Sequence, residues 1–311
     1  MNRTELLEAI DQKYRAMGQD PDVHLSGLLH AEPITYWDYI QVDALLGLQI
    51  KRTQLPDEMV FIMYHQINEL LFKMILWEIG QLSEPGSLTA EKFSMHLDRV
   101  SRYFDMLAES FNIMGDGMQP EQYMKFRDTL TPASGFQSAQ YRQIEFASTE
   151  LQNLVDLRYR QQLQPDAAPE EIFELLYWQA AGKDHATGVK NALLRNFEKR
   201  YKEEFLAFMK QCKKHNLWTL FKALPEAVKQ NLQLRNAMRH YDHTVNIRWV
   251  MAHYHAAEKY IGGGAATGGS PWQRYMHPRY QKRIFFPELW SEEERALWGE
   301  NNLDSYTRLE A

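Results

Sequence analysis

Residues 57–79 read DEMVFIMYHQINELLFKMILWEI, and apolar side chains occupy most of the circumference when this run is drawn as a helix. Pro56 precedes it and two acidic residues open it, as is typical of a helix start. The pattern predicts a helix from Pro56 to about Ile79. Because this helix has no broad polar face, we expect it to lie in the middle of a helical bundle.

Apolar residues recur at helical spacing along most of the chain, whereas strand-like alternation is scarce. The predicted fold class is all-α, a helical bundle formed by one domain of residues 1–311. Further helices are predicted over residues 5–17 with Thr4 as the cap, 36–49 after a loop, 90–115, 120–130, 136–163, 169–180, 187–213 and 217–223, and from Pro225 to 261 with a break near Asp242.

The composition favours a globular protein of the cytoplasm. Its 311 residues include 44% hydrophobic residues, and 35 basic against 41 acidic residues give a net charge of -6. The basic residues are dispersed, so no nucleic-acid partner is expected. A lone cysteine, Cys212, excludes an internal disulfide framework. The amino terminus does not resemble a secretion signal, and no apolar run approaches the roughly 20 residues of a membrane span.

Several residues have two interpretations. His65 shares a helical face with Phe61 and is either a hydrogen-bonded core histidine or a pocket residue. Tyr36 and Tyr39 also share a face, which suits the wall of an aromatic pocket as well as a helix interface. Arg142 is either the partner of Glu145 three residues later or a bidentate ligand for a carboxylate.

The carboxyl-terminal third carries histidines at 240, 243, 253 and 255. No Glu-x-x-His motif occurs in the chain, which disfavours a di-iron bundle enzyme. His253 is flanked by small and apolar residues and suits a single axial ligand of a haem. The following GGGAATGGS, residues 262–270, is interpreted as either a flexible surface loop or a lid that offers the Thr267 hydroxyl to a substrate.

Four segments in this order resemble the tryptophan 2,3-dioxygenase family over about residues 34–276. They are YWDYIQVDALL, DEMVFIMYHQINELLFK, GFQSAQYRQIEF, and Trp249 four residues before His253 followed by ATGGS. The family's ELWFK is ELLFK here, its GTGGS is ATGGS, and WVMAH lacks the two arginines that many members have before the histidine.

The resemblance implies roles for individual residues. It makes His253 the axial haem ligand, with His255 as a competing candidate, and Gly268 a cofactor contact. The implied substrate site comprises Tyr36, Tyr39, Phe61, His65, Arg142 and Thr267. His65 is also the implied catalytic residue. The implied cofactor is haem b, active as Fe2+, with O2 as co-substrate.

The implied reaction is cleavage of the indole C2–C3 bond of L-tryptophan to N-formyl-L-kynurenine, the first step of tryptophan catabolism. A homotetramer is also implied, with residues 1–33 in subunit contacts. Two alternatives stay open, a haem-dependent aromatic amino acid monooxygenase on the same fold and a haem-binding protein without turnover.

Overall fold

The computed structural model describes residues 1–84, 88–130, 137–164, 166–184, 186–262, 272–300 and 309. Within these ranges the regular structure is helical, and extended pairing is limited to isolated bridges, which confirms the predicted all-α class. Packing divides the chain into two compact units, Met1–Ile50 and Lys51–Ala311. The single domain of residues 1–311 stays a prediction.

The first unit consists of α1 (Arg3–Ala16), α2 (Pro21–Leu28), α3 (Tyr36–Ile40) and α4 (Val42–Leu46). Three local predictions were wrong. Asn2, not Thr4, caps α1, because its side chain accepts the backbone N–H of Glu5 in a capping box. Asp20 caps α2, where a loop was expected. Gln41 adopts a left-handed conformation, φ 59°, and splits the expected helix 36–49 into α3 and α4.

The second unit contains the remaining helices. Its α-helices are α5 (Asp57–Leu82), α6 (Ala90–Gly115), α7 (Pro120–Leu130), α8 (Ala139–Ser148), α9 (Leu157–Arg160), α10 (Pro169–Glu174), α11 (Ala192–His215), α12 (Leu217–Lys222), α13 (Glu226–Lys229), α14 (Leu232–His243), α15 (Trp249–Ile261), α16 (Trp272–Met276), α17 (Pro278–Gln281) and α18 (Glu292–Ala296). Short 3-10 helices cover Leu151–Leu154, Tyr177–Gly182 and Pro287–Leu289, and a π-helix covers Thr244–Arg248. No helix of the described ranges is both long and apolar enough to span a bilayer.

Helix α6 is the centre of this unit, since α5, α14 and α15 all pack against it, and α8 packs against α5. The expectation that α5 lies in the middle of the bundle was wrong. One face of α5 is exposed and carries apolar residues at alternating spacings of four and three, namely Met63, Ile67, Leu70, Met74 and Trp77. The unbroken apolarity of α5 therefore reflects two apolar surfaces, one buried in this unit and one exposed.

The break predicted near Asp242 is the π-helix between α14 and α15. Asp242 is buried, and its carboxylate accepts the backbone N–H groups of Phe285 and Phe286 at 2.9 and 3.0 Å and the indole N–H of Trp290 at 2.9 Å. These contacts fix the carboxyl-terminal segment against the end of α14. Short π-helical turns often occur beside functional sites, and this one sets the direction of α15.

The helix predicted over 136–163 is wrong in its length. Helix α8 ends at Ser148, because Thr149 is extended and its hydroxyl donates to the backbone carbonyl of Phe285. The long-range partner of Thr149 determines this end, and no residue near it in the sequence reveals that partner.

Candidate ligand pocket and cofactor site

The second unit contains a pocket of about 570 Å³, a volume typical of small-molecule and cofactor sites. Helices α5, α6, α7, α8 and α15 contribute to its wall. Much of the lining is aromatic, including Phe61, Phe72, Phe111 and Trp249. The pocket can therefore bury a flat, largely apolar ligand.

His65 faces this pocket from α5. Its Nδ1 lies 2.7 Å from the backbone carbonyl oxygen of Phe61, and the two rings are 4.1 Å apart between centroids. Desolvation lowers the pKa of His65, against smaller opposing effects of the Phe61 carbonyl and Glu69. Because a carbonyl can only accept, Nδ1 carries the proton of the neutral ring. The other nitrogen, Nε2, is then an acceptor.

His253 lines the pocket from α15. Desolvation, together with the nearby His65, lowers its pKa to about 4, so the ring is neutral and retains a lone pair at neutral pH. Phe111 stacks on the imidazole, with centroids 5.1 Å apart. No hydrogen-bond partner of His253 occurs in the described part of the chain. The small side chains of Ala256 and Ala257 also line the pocket.

These features fit a haem. A neutral imidazole has a ring-nitrogen lone pair that can bind haem iron, and histidine is a common axial ligand of haem. The adjoining alanines and aromatic rings leave a smooth apolar wall of the kind that a porphyrin plane requires. His255, the competing candidate, is largely exposed and lies 3.9 Å from Glu258 on the helix surface. The geometry therefore favours His253 as the ligand.

Arg142 lines the pocket from α8 and is almost fully buried. Its Nη1 lies 2.9 Å from Glu145 Oε2 and donates to the Tyr177 hydroxyl at 2.9 Å. The ion pair that the spacing suggested is thus formed. Nevertheless, the guanidinium Nε of Arg142 is buried and has no hydrogen-bond partner in the described ranges. One hydrogen-bond donor of this pocket-lining arginine is therefore not used by the described part of the protein.

The predicted site residues are only partly brought together. Phe61, His65, Arg142 and His253 line the same pocket. Tyr36 and Tyr39 belong to α3 of the first unit and are both exposed. Thr267 and Gly268 lie outside the described residues. The roles of all eight residues stay predictions.

The sequence interpretation missed Arg283 and Tyr177, which also line the pocket and contact the ion pair of Arg142. Arg283 lies 138 positions from Glu145 along the chain. No local spacing or motif reveals such a contact. The only signal was the cationic KR dipeptide at 282–283 before an aromatic run, which is not specific.

The described part of the second unit is mainly helical, and its pocket combines aromatic walls, two neutral histidines and buried arginines. These features are typical of a protein that binds a flat ligand and an acidic ligand. Comparison of sequences gives a narrower class. A family model described as tryptophan 2,3-dioxygenase matches residues 25–247, and the chain belongs to the tryptophan 2,3-dioxygenase family.

Curated relatives of the same name cover most of the chain. One from Bacillus thuringiensis subsp. konkukian (strain 97-27) is 30% identical over 276 residues, which are 84% of this chain and 92% of the relative. One from Ruegeria sp. (strain TM1040) is 30% identical over 281 residues with the same coverage. One from Burkholderia multivorans (strain ATCC 17616 / 249) is 27% identical and covers 88% of this chain and 87% of the relative.

Proposed function

We propose that the protein is a haem-dependent dioxygenase that cleaves the indole C2–C3 bond of L-tryptophan with O2 and releases N-formyl-L-kynurenine. One observation carries the proposal. His65 and His253, on two different helices, line the pocket that also contains buried Arg142. Membership of the tryptophan 2,3-dioxygenase family supports it. In this interpretation the enzyme catalyses the first step of tryptophan catabolism.

The cofactor in this proposal is haem b, held through His253 in its Fe2+ form. Bound haem supplies the activation of O2, which no side chain can perform. The residues of the pocket hold the cofactor and keep water away from it. Phe111 stacks on the imidazole of His253 and restricts its rotation. Phe61 and Phe72 add apolar surface to the wall, so a bound ligand is shielded from solvent protons.

In this proposal the protein binds the substrate at both of its ends. Arg142 binds the carboxylate of tryptophan, since its Nε has no partner among the described residues and its charge is buried. His65 accepts the indole N–H at Nε2, because its Nδ1 donates to the carbonyl of Phe61. Holding both ends fixes the indole C2–C3 bond in one place, which lowers the entropic part of the barrier. The family resemblance supports Thr267 as a further contact of the substrate in this proposal.

Incubation of the haem-loaded, reduced protein with L-tryptophan under isotopically labelled O2 tests this function. We expect a product that contains two labelled oxygen atoms and shows the mass of N-formylkynurenine. Incorporation of one labelled atom would favour an aromatic amino acid monooxygenase. Haem binding without any product would favour a carrier or sensor.

We also propose a homotetramer, with residues 1–33 in subunit contacts, in the cytoplasm. The large apolar side chains of the first unit support an oligomer, because Leu28, Leu29 and Ile34 are exposed. The exposed apolar face of α5 supports it as well. Patches of this kind on a protein chain usually mark an interface. Light scattering after gel filtration tests the assembly, and a monomer at micromolar concentration would contradict it.

A further inference from the structure

Glu145 lies at the centre of a buried cluster behind the pocket. It is fully buried, and two arginines lie on either side of it. Arg142 Nη1 is 2.9 Å from its Oε2, and Arg283 Nη1 donates to its Oε1 at 2.6 Å. The Tyr177 hydroxyl also donates to Oε1 and accepts a hydrogen bond from each arginine. One carboxylate is thus shared by two cations.

Glu145, Arg142 and Arg283 together carry an excess of one positive charge when all three are ionised. Burial and the carboxylate of Glu145 raise the pKa of Tyr177, so its hydroxyl stays neutral, although both arginines oppose this shift. The single negative charge of Glu145 therefore neutralises the charge of only one of the two guanidinium groups. Among the described residues that line the pocket, Arg127, Arg142 and Arg283 are the arginines, whereas Glu69 is the carboxylate. An anionic ligand would neutralise the remaining positive charge.

Arg283 uses more of its hydrogen-bond donors within the protein than Arg142 does. Its Nη2 donates to the Tyr141 hydroxyl at 2.7 Å, and its Nε donates to the side-chain oxygen of Asn246. Arg142, in contrast, has a buried Nε for which the described part of the chain supplies no partner. Of these two arginines that line the pocket, Arg142 is therefore the one with an unused hydrogen-bond donor.

Removal of Arg283 would change the charge balance around Glu145. Glu145 would be a fully buried carboxylate with Arg142 as its remaining guanidinium partner, and a buried charge gains most from a bidentate pair. Arg142 would then turn its free donors toward Glu145 and away from the pocket. Its charge would be neutralised by the protein rather than by a ligand.

We propose that Arg283 is a positioning residue that neutralises Glu145 and so keeps the guanidinium of Arg142 available for the substrate carboxylate. The inference rests on the proposed function, since it concerns how the carboxylate of L-tryptophan is bound. It adds that Arg283 influences the affinity for the substrate without contacting the substrate itself.

Equilibrium binding of L-tryptophan to the haem-loaded protein without reductant tests the proposal, because no turnover occurs. We expect Arg283→Gln to raise Kd about tenfold or more, the size of one lost charge-assisted hydrogen bond. Arg283→Lys keeps the charge and should restore most of the affinity. In steady-state turnover, Arg283→Gln should raise KM more than it lowers kcat. An unchanged Kd in Arg283→Gln would overturn the inference.

A second substitution separates positioning from a merely structural role. The double variant Arg283→Gln with Glu145→Gln has the same net cluster charge as the native protein, and it contains no carboxylate that captures Arg142. We therefore expect the second change to rescue L-tryptophan affinity. If the role of Arg283 were purely structural, the losses of L-tryptophan affinity caused by the two substitutions would add or become larger. That result would also overturn the inference.

Two controls complete the design. Arg239 is another buried arginine, paired with Glu294 and absent from the described pocket lining, so Arg239→Gln should lower the melting temperature without changing Kd. Tryptamine lacks the carboxylate, and its Kd should not respond to Arg283→Gln. A native protein that neither binds nor oxidises L-tryptophan would contradict the proposed function itself. Native turnover together with a normal Kd in Arg283→Gln would contradict the positioning role alone.

Discussion

The ring Nδ1 of His65 lies 2.7 Å from the backbone carbonyl oxygen of Phe61, one turn earlier on the same helix. This hydrogen bond fixes both the tautomer and the orientation of the imidazole. It leaves Nε2 as an acceptor, which is the state that an indole N–H requires. The helix thus sets the chemistry of the ring before any ligand binds.

His65→Phe should weaken the use of L-tryptophan by removing this acceptor. We expect a loss of about 1 kcal/mol in transition-state stabilisation, roughly fivefold in kcat/KM. The loss should be absent for 1-methyltryptophan, which has no indole N–H to donate. Steady-state kinetics with both substrates measure the difference. An equal loss with both substrates would show that His65 does not accept the indole proton.

His253→Ala should abolish stable haem binding, because the variant has no neutral imidazole at this position of the pocket. The Soret band of the purified, haemin-treated protein measures this directly. His255→Ala is the matched control, since that side chain is two residues away and largely exposed, and it should bind haem normally. The reverse pattern would assign the ligand to His255.

Arg142→Ala should weaken binding of L-tryptophan by about 2 to 4 kcal/mol, because the buried carboxylate of the substrate loses its charged partner. Glu145 keeps Arg283 as a partner at 2.6 Å, so we expect the variant to fold. Isothermal titration with L-tryptophan and tryptamine measures both affinities. An unaltered affinity for L-tryptophan would remove Arg142 from the substrate site.

Glu58 makes the stability of the second unit dependent on pH. Its buried carboxylate accepts the backbone N–H groups of Arg52 and Thr53 at 2.8 and 2.7 Å and the Thr53 hydroxyl at 2.7 Å. Burial raises the pKa of Glu58, but these hydrogen bonds outweigh it, so the pKa lies below the ordinary 4.5. A depressed pKa stabilises the folded state above the unfolded pKa, and this stabilisation is lost as the pH falls through the folded pKa.

Glu58→Gln should therefore lower the free energy of unfolding near neutral pH by about 1 to 2 kcal/mol. The difference from the native protein should shrink as the pH falls below 4.5, where the native carboxyl becomes protonated. Urea unfolding at several pH values measures both quantities. A difference that stays constant with pH would show that the ionised form of Glu58 does not stabilise the fold.

Local signals in the sequence were sufficient for two helices of the second unit. Helix α6 spans Ala90–Gly115 and α7 spans Pro120–Leu130, as their apolar periodicity predicted. The shared face of Phe61 and His65 also follows from helical spacing alone. Such features depend on residues within one or two turns, and a sequence contains that information directly.

Other features depend on distant partners. Gln41 breaks a helix by a left-handed conformation that its residue type does not favour, and Thr149 ends α8 through a bond to Phe285. The pairing of Arg283 with Glu145 joins segments that are far apart in the chain. These contacts depend on tertiary packing, which overrides local preference, so periodicity and motifs did not predict them.

The crystal structure of the haem-loaded protein, soaked with L-tryptophan without O2, tests the central claim most directly. We expect electron density for a porphyrin in the pocket between α5 and α15, with iron bound to His253. The tryptophan carboxylate should lie at Arg142 and the indole N–H at His65. Iron bound to another residue, or tryptophan held with its carboxylate away from Arg142, would contradict the account.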